Sequence, residues 1–264
     1  RQIKMPLLSP EINVLEKRCT KVSKIIIRDF GEIEKLQVSK KGPGDFVTKT
    51  DQKVEKVIIE ELEKARPGYG FIAEESGERK GDKEFNWIID PIDGTSNFMH
   101  GIPHFAISIG LEKNKELIAG MICDPIKNET FYAEKGRGSY LNNRRIRVSA
   151  RKKLDEMIGL YGCPPMLKVE SNKIFDQLKL ASKQIHKLRN YGSAALDFAY
   201  VASGRADFAW YDHLNYWDFA AGKIILLEAG GSITDFQGKS LTDQKDMFLS
   251  NSHIHDELLK IIFN

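Results

Sequence analysis

A chain of 264 residues with 41% hydrophobic side chains can bury a large core, in one big domain or two smaller ones. Forty Lys and Arg against 37 Asp and Glu leave a formal charge of +3, which argues against a dedicated nucleic-acid binder. Cys19, Cys123 and Cys163 are too scattered for a disulfide framework or a zinc site and point to a reducing, cytoplasmic setting, and no apolar run reaches the ~18 residues of a membrane span. Ile3 to Leu8, interrupted by Lys4 and Pro6, is too short for the core of a signal peptide.

Ser9-Pro10-Glu11 reads as a helix start, with a capping hydroxyl, a proline in the first turn and an acid near the positive end. Ile12, Leu15, Cys19, Val22, Ile26 and Phe30 follow at helical spacing, which predicts a long amphipathic helix closed near Gly31. Lys41-Gly42-Pro43-Gly44-Asp45 reads as a loop. A second helix is predicted from about Asp51, with Val54, Val57, Ile58, Leu62 and Ala65 inward and Pro67-Gly68 ending it. Tyr69 to Ala73 reads as a strand running into Glu74 and Glu75. Trp87 to Ile89 reads as a short buried strand whose pairing Pro91 should end. Phe105 to Leu111, Leu117 to Cys123 and Thr130 to Ala133 are further strands, the first two joined in a hairpin through Lys113-Asn114-Lys115.

From about residue 140 the pattern changes to alternating helices and strands. Helices are predicted from Ser171 to Leu188, Ser193 to Ala202, Asp218 to Glu228 and His255 to Ile262, with a strand from Ala206 to Trp210. The expected division is an α+β half over residues 1–140, with two long helices on an antiparallel sheet, and an α/β half over 141–264. No Gly-, Pro- or Ser-rich linker separates them, so they should pack tightly. His253 and His255 read as polar surface.

The densest chemistry lies in Asp90-Pro91-Ile92-Asp93-Gly94-Thr95-Ser96. Two carboxylates crowded at the end of a buried strand repel each other unless a cation lies between them. Gly94-Thr95-Ser96 can open a helix whose free N–H groups suit a phosphate oxyanion. A hard cation beside a phosphate cradle is the chemistry of a metal-dependent phosphatase. Glu74 is either a solvated turn residue or a third ligand delivered by a neighbouring strand. Asp218, in Trp217-Asp218-Phe219-Ala220-Ala221-Gly222, is either a helix cap or a carboxylate closing the metal site from the second half. Asp51 is either a helix cap or an acid that orients a hydroxyl such as Thr95.

Together with Asp45-Phe46-Val47-Thr48, Phe71 to Ser76, Gly192-Ser193-Ala194-Ala195 and Glu228-Ala229-Gly230-Gly231, these stretches resemble the inositol monophosphatase family of lithium-sensitive, magnesium-dependent phosphatases over nearly the whole chain. The resemblance implies the layered αβαβα sandwich of the superfamily that includes fructose bisphosphatase, within the α+β or α/β class, and a homodimer as the usual minimum assembly. It implies two or three Mg2+ ions: one on Glu74, Asp90 and the Ile92 carbonyl, a second on Asp90, Asp93 and Asp218, and a further weak one near Glu74. Thr95, assisted by Asp51 and Glu74, would orient the attacking water. Asp93, Gly94, Thr95 and Ser96 would flank the phosphate, and Gly192, Ser193 and Ala194 would touch the alcohol part of the substrate. Inositol-handling members commonly carry an acid seven residues before the aspartate of the Trp-Asp motif; here Tyr211 stands there and Asp212 follows, so both are candidate substrate contacts.

The implied reaction is hydrolysis of inositol monophosphate by metal-activated water. Fructose 1,6-bisphosphate, a nucleotide 3′-phosphate, NADP or histidinol phosphate are alternative substrates for the same mechanism. A covalent aspartyl phosphate is disfavoured because Asp-x-x-Asp-Gly-Thr is one residue longer than the Asp-x-Asp-Gly-Thr of such enzymes. An RNA- or transcription-associated binding protein with a relic site is disfavoured by the full set of acids.

Overall fold

The computed structural model describes residues 8–32, 38–42, 45–162, 173–241 and 246–263. Helix α1 (Pro10–Phe30) begins where the Ser9 hydroxyl accepts the Ile12 N–H at 3.2 Å, and it buries Ile12, Leu15, Cys19, Val22 and Ile26 along one side. Strands β1 (Val38–Gly42) and β2 (Asp45–Thr48) pair antiparallel, so Lys41, Gly42 and Asp45 belong to strands; Pro43 and Gly44 of the expected loop lie outside the described residues. Helix α2 (Lys49–Ala65) starts with a capping box: the Thr48 hydroxyl accepts the Asp51 N–H, and the Asp51 carboxylate accepts the Thr48 N–H at 2.9 Å.

Eight strands form the first large sheet: β3 (Gly70–Ala73), β4 (Gly77–Arg79), β5 (Phe85–Asp93), β6 (Ala106–Lys113), β7 (Glu116–Asp124), β8 (Glu129–Glu134), β9 (Gly138–Leu141) and β10 (Arg144–Ile146). Their spatial order is β10-β9-β8-β7-β6-β5-β3-β4. Only β3 and β5 run parallel within it, with Ala73 opposite Ile89, so the residue after β3 comes level with Asp90 of β5. The β6–β7 hairpin turns through Asn114 and Lys115, both at positive φ (51° and 66°), as a turn matched to strand twist requires. Pro91 does not end the pairing of β5. The strand bulges between Asp90 and Asp93, Asp93 pairs again with Ala106, and the N–H that Pro91 lacks falls where the ladder is interrupted. A short helix, α3 (Thr95–Met99), follows directly.

The β9–β10 hairpin carries this sheet past residue 140, so the change of sheet falls between Ile146 and Ile158, later than the expected division. The second sheet contains β11 (Ile158–Tyr161), β12 (Lys187–Arg189), β13 (Phe208–Asp212), β14 (Ser232–Thr234) and β15 (Asp246–Ser250), in the order β12-β11-β13-β15-β14. Helices α4 (Lys173–Ser182), α5 (Ala194–Ala202), α6 (Tyr216–Glu228) and α7 (His255–Phe263) complete the described chain. The helix expected from Ser171 to Leu188 ends at Ser182, and Lys187–Arg189 pairs parallel with β11 instead; residues 171 and 172 lie outside the described residues.

Three apolar clusters define the layers. The first packs α1 and α2 on one face of the eight-stranded sheet, the second fills the space around α5 and α6 between the sheets, and the third packs α4 and α7 on the outer face of the second sheet. The result is an αβαβα sandwich. Close approach depends on glycine: a Cβ on Gly120 of β7 would lie 2.8 Å from the Ala221 Cα, and one on Gly222 of α6 would lie 2.5 Å from the Phe198 Cβ of α5. His255 is buried rather than on the surface, because Ser250 Oγ (2.7 Å) and Thr234 Oγ1 (2.9 Å) satisfy its ring nitrogens. Among the described residues no helix is long and apolar enough to cross a membrane.

Candidate active site

The Glu74 N–H donates to the Ile89 carbonyl at 3.1 Å, which carries the parallel β3–β5 ladder one residue further and sets Glu74 beside Asp90. Asp90 Oδ1 accepts the Ile92 N–H at 3.0 Å, which holds the bulge around this carboxylate. Asp218 occupies the third position of α6, where its Oδ2 accepts the Asn215 N–H at 2.8 Å. One residue thereby fixes the helix start and brings a carboxylate near Asp90, Asp93 and Glu74.

The electrostatics place these acids together. Burial first, then Glu74, Asp93 and Asp218 in turn, drive the Asp90 carboxyl well above the ordinary range. Asp218 is pushed up to about 8, by burial and then by Asp93. Asp93 is raised to about 6 by burial, against the donors that surround it. Glu74 and Asp90 share a side-chain hydrogen bond, and the charges of Glu74, Asp93 and Asp218 still oppose ionisation of Asp90. The donor set is all oxygen, four carboxylates with the Ile92 carbonyl beside them, and fits a hard divalent cation such as Mg2+.

Asp93 links the two halves. Its Oδ2 accepts the Ser193 hydroxyl and, at 2.8 Å, the Ala195 N–H, while Oδ1 accepts the Ala194 N–H at 3.3 Å. A first-half carboxylate thus satisfies the free N–H groups at the start of α5. Thr95 Oγ1 lies 3.1 Å from Asp51 Oδ1 and 3.0 Å from the Ile92 carbonyl, and Asp51 Oδ2 holds the Thr48 N–H and hydroxyl. Burial raises the Asp51 carboxyl, with the Thr48 and Thr95 donors opposing it. Asp51 therefore serves the helix start and the Thr95 hydroxyl at once. Gly94 turns the chain into α3 at φ 95°, and a Cβ there would lie 3.1 Å from the carbonyl oxygens of Gly192 and His104.

Gly192 (φ 77°) faces Asn97, whose Nδ2 donates to the carbonyls of His104 (2.8 Å) and Tyr191 (2.7 Å). Gly192, Ser193 and Ala194 accordingly share a corner with Gly94 and Asp93. Tyr211 turns inward, its hydroxyl donating to Asp197. Asp212 sits with His213 and Asp246 on the other face of β13, their ligand atoms within 4.8 Å of one another, and is not grouped with the four acids.

Two positioning residues escaped the sequence reading. Glu55 of α2 is 2% exposed and accepts the Glu75 and Ser76 N–H groups, each at 2.8 Å, which fixes the turn carrying Glu74. Its signal was an acid in helical register with Asp51, Ile58 and Leu62. Tyr216, whose hydroxyl donates to Glu112 Oε2 of β6 at 2.7 Å, ties the start of α6 to the first sheet and left no such pattern.

Comparison with known proteins identifies the family. A sequence model of the inositol monophosphatase family matches residues 7–262. The chain is 44% identical over 254 residues to an inositol-1-monophosphatase of Mesorhizobium japonicum, covering 95% of each protein. It is 38% identical over 232 residues to the Nus factor SuhB of Escherichia coli K12, covering 88% of this chain and 87% of that protein. The crystal structure of the extragenic suppressor protein suhB from Bartonella henselae superposes with a TM-score of 0.93 at 42% identity, over 97% of this chain and 99% of that one.

Proposed function

Because this chain belongs to the inositol monophosphatase family, a family of phosphoric monoester hydrolases, we propose that it hydrolyses the phosphate ester of a small polyol or sugar, inositol monophosphate first, with Mg2+ as cofactor. The observation that carries the reading is the crowding of Glu74, Asp90, Asp93 and Asp218, whose mutual repulsion calls for divalent cations. Glu74, Asp90 and the Ile92 carbonyl would hold one ion, Asp90, Asp93 and Asp218 a second, and a further weak ion would lie near Glu74. Such ions, when bound, would neutralise charge on the phosphate ester and acidify water.

The chain's own residues do the rest. Asp51 accepts the hydrogen of the Thr95 hydroxyl, which leaves the Thr95 oxygen free to accept one from the attacking water and aim it. Glu74 assists in orienting that water. Gly94, Thr95 and Ser96 present backbone N–H groups to the phosphate oxygens beside Asp93, and Gly192, Ser193 and Ala194 line the alcohol side. Water attacks phosphorus directly and no phosphoenzyme forms.

A panel of inositol 1-phosphate, fructose 1,6-bisphosphate, a nucleotide 3′-phosphate, NADP and histidinol phosphate, each with Mg2+ and with chelator, tests the reading. Magnesium-dependent phosphate release, greatest from inositol 1-phosphate, is expected; no release from any of them overturns it. Lithium inhibition and a homodimer in solution belong to the same reading. Cys19 and Cys123 are free and buried, which supports a reducing, cytoplasmic setting. The relative named a Nus factor favours a second reading, a transcription-associated role, which RNA binding without magnesium-dependent turnover would support.

A further inference from the structure

Asp197 of α5 is 1% exposed, and nothing in the reaction above uses it. It lies on the same short helix whose opening residues hold the Asp93 carboxylate. Its Oδ2 accepts the Tyr211 hydroxyl, while Oδ1 is buried without a hydrogen-bond partner. Burial of a carboxylate with a single donor is costly, and it pushes the Asp197 carboxyl well up. A bland apolar pair would fill this space at lower cost.

Tyr211 is fixed from several sides. It is the penultimate residue of β13 and is 5% exposed. Its ring stacks on Phe198 at 6.4 Å and lies against Gly162, where a Cβ would stand 2.1 Å from the Tyr211 Cδ1. Two residues later the chain reverses at His213 (φ 62°) and enters α6, which carries Asp218. The Asp197–Tyr211 bond therefore joins the helix that clamps Asp93 to the corner that launches Asp218.

We propose that Asp197 and Tyr211 form a positioning pair that sets the separation of the Asp93 and Asp218 carboxylates. The proposal rests on the metal site of the proposed function. Neither residue is a catalytic residue, since the phenol is turned inward to Asp197 rather than toward substrate. The consequence is a preference among ions: Mg2+ demands a near-ideal octahedron of oxygens, whereas Ca2+ accepts a looser and larger set. A slack pair of acids should therefore lose Mg2+ more than Ca2+.

The test is calorimetric titration of the 264-residue chain with Mg2+ and, separately, with Ca2+, in the absence of substrate. Tyr211→Phe should weaken Mg2+ binding by about tenfold, as loss of a group behind a metal ligand does, and Ca2+ binding by less than about threefold. Asp197→Asn retains an oxygen that accepts the phenolic hydrogen and should stay within about threefold of the parent for Mg2+. Should Tyr211→Phe fail to fold because it leaves the buried Asp197 carboxyl without its hydrogen-bond partner, the double variant Tyr211→Phe with Asp197→Asn takes its place. Unchanged Mg2+ affinity in a folded Tyr211→Phe or double variant overturns the proposal, as does equal weakening for both ions, which would mark a general loosening of the fold. If the parent chain itself binds no Mg2+, the reading of the metal site fails and the pair falls with it.

Discussion

The acids of the first half and the acid of the second half are brought together by different means. Glu74 directly follows β3 and Asp90 stands at the bulge of the adjacent parallel strand β5, where backbone register sets their separation. Asp218 rides on a helix start placed by side-chain ties, Asn215 with Asp218 and Tyr216 with Glu112. Asp93 belongs to both: its backbone pairs with Ala106 in the sheet, and its carboxylate closes the start of α5. A ladder survives most point substitutions, because it is made of main-chain groups, whereas a side-chain tie is lost with one atom. Sheet-borne acids give the site its fixed reference, and helix-borne groups give it adjustment.

The comparison breaks most visibly where the two systems meet. Asp93→Asn should fold normally by circular dichroism and lose at least about a hundredfold in turnover, comparable to the loss of one preorganised charge-stabilising group; phosphate release near the parent rate would count against the assignment. On the sheet side, Glu55→Ala frees the turn that presents Glu74 while leaving the β3–β5 ladder intact. We expect about tenfold weaker Mg2+ half-saturation with a smaller change in turnover at saturating Mg2+. No change would mean that register alone places Glu74.

Proton linkage sharpens the contrast further. In the metal-free folded chain Asp93 holds a proton up to about 6 and Asp218 up to about 8, while the unfolded chain releases both near about 4. The folded state then binds more protons than the unfolded one, so the stability contributed by these groups falls as pH rises from about 4 through 8. Mg2+ displaces the same protons, so its binding should tighten over that interval and release protons. Calorimetry in two buffers of different ionisation enthalpy checks this, and proton-neutral binding at pH 6 would contradict it. The smallest effect is on packing. Gly222→Ala puts a methyl 2.5 Å from the Phe198 Cβ and should cost about 1–3 kcal/mol by urea unfolding, with α6 shifted away from α5.

Legibility in the chain follows the same division. The amphipathic faces of α1 and α2 and the helix start at Gly94-Thr95-Ser96 are local patterns, and the structure reproduces them. Pro91 misled because a bulge lets a strand skip one ladder donor and resume, which no residue pattern announces. The helix read through Leu188 stopped early because a three-residue edge strand with one apolar side chain has no period of its own. The inward turn of Tyr211 and the placing of Asp212 with Asp246 depend on a strand pairing across a long stretch of chain, so spacing could not reveal them. For Asp51 and Asp218 the sequence posed a choice between helix start and cleft, and the structure gives each its place at the helix start beside the site.

If carboxylates from both halves gather around divalent ions, crystals soaked in Mn2+ with phosphate should show it by anomalous diffraction. One peak is expected within bonding range of Glu74, Asp90 and the Ile92 carbonyl and another within range of Asp90, Asp93 and Asp218. An intact fold with phosphate bound at Gly94 and Thr95, and no anomalous peak near any of these carboxylates, would contradict it.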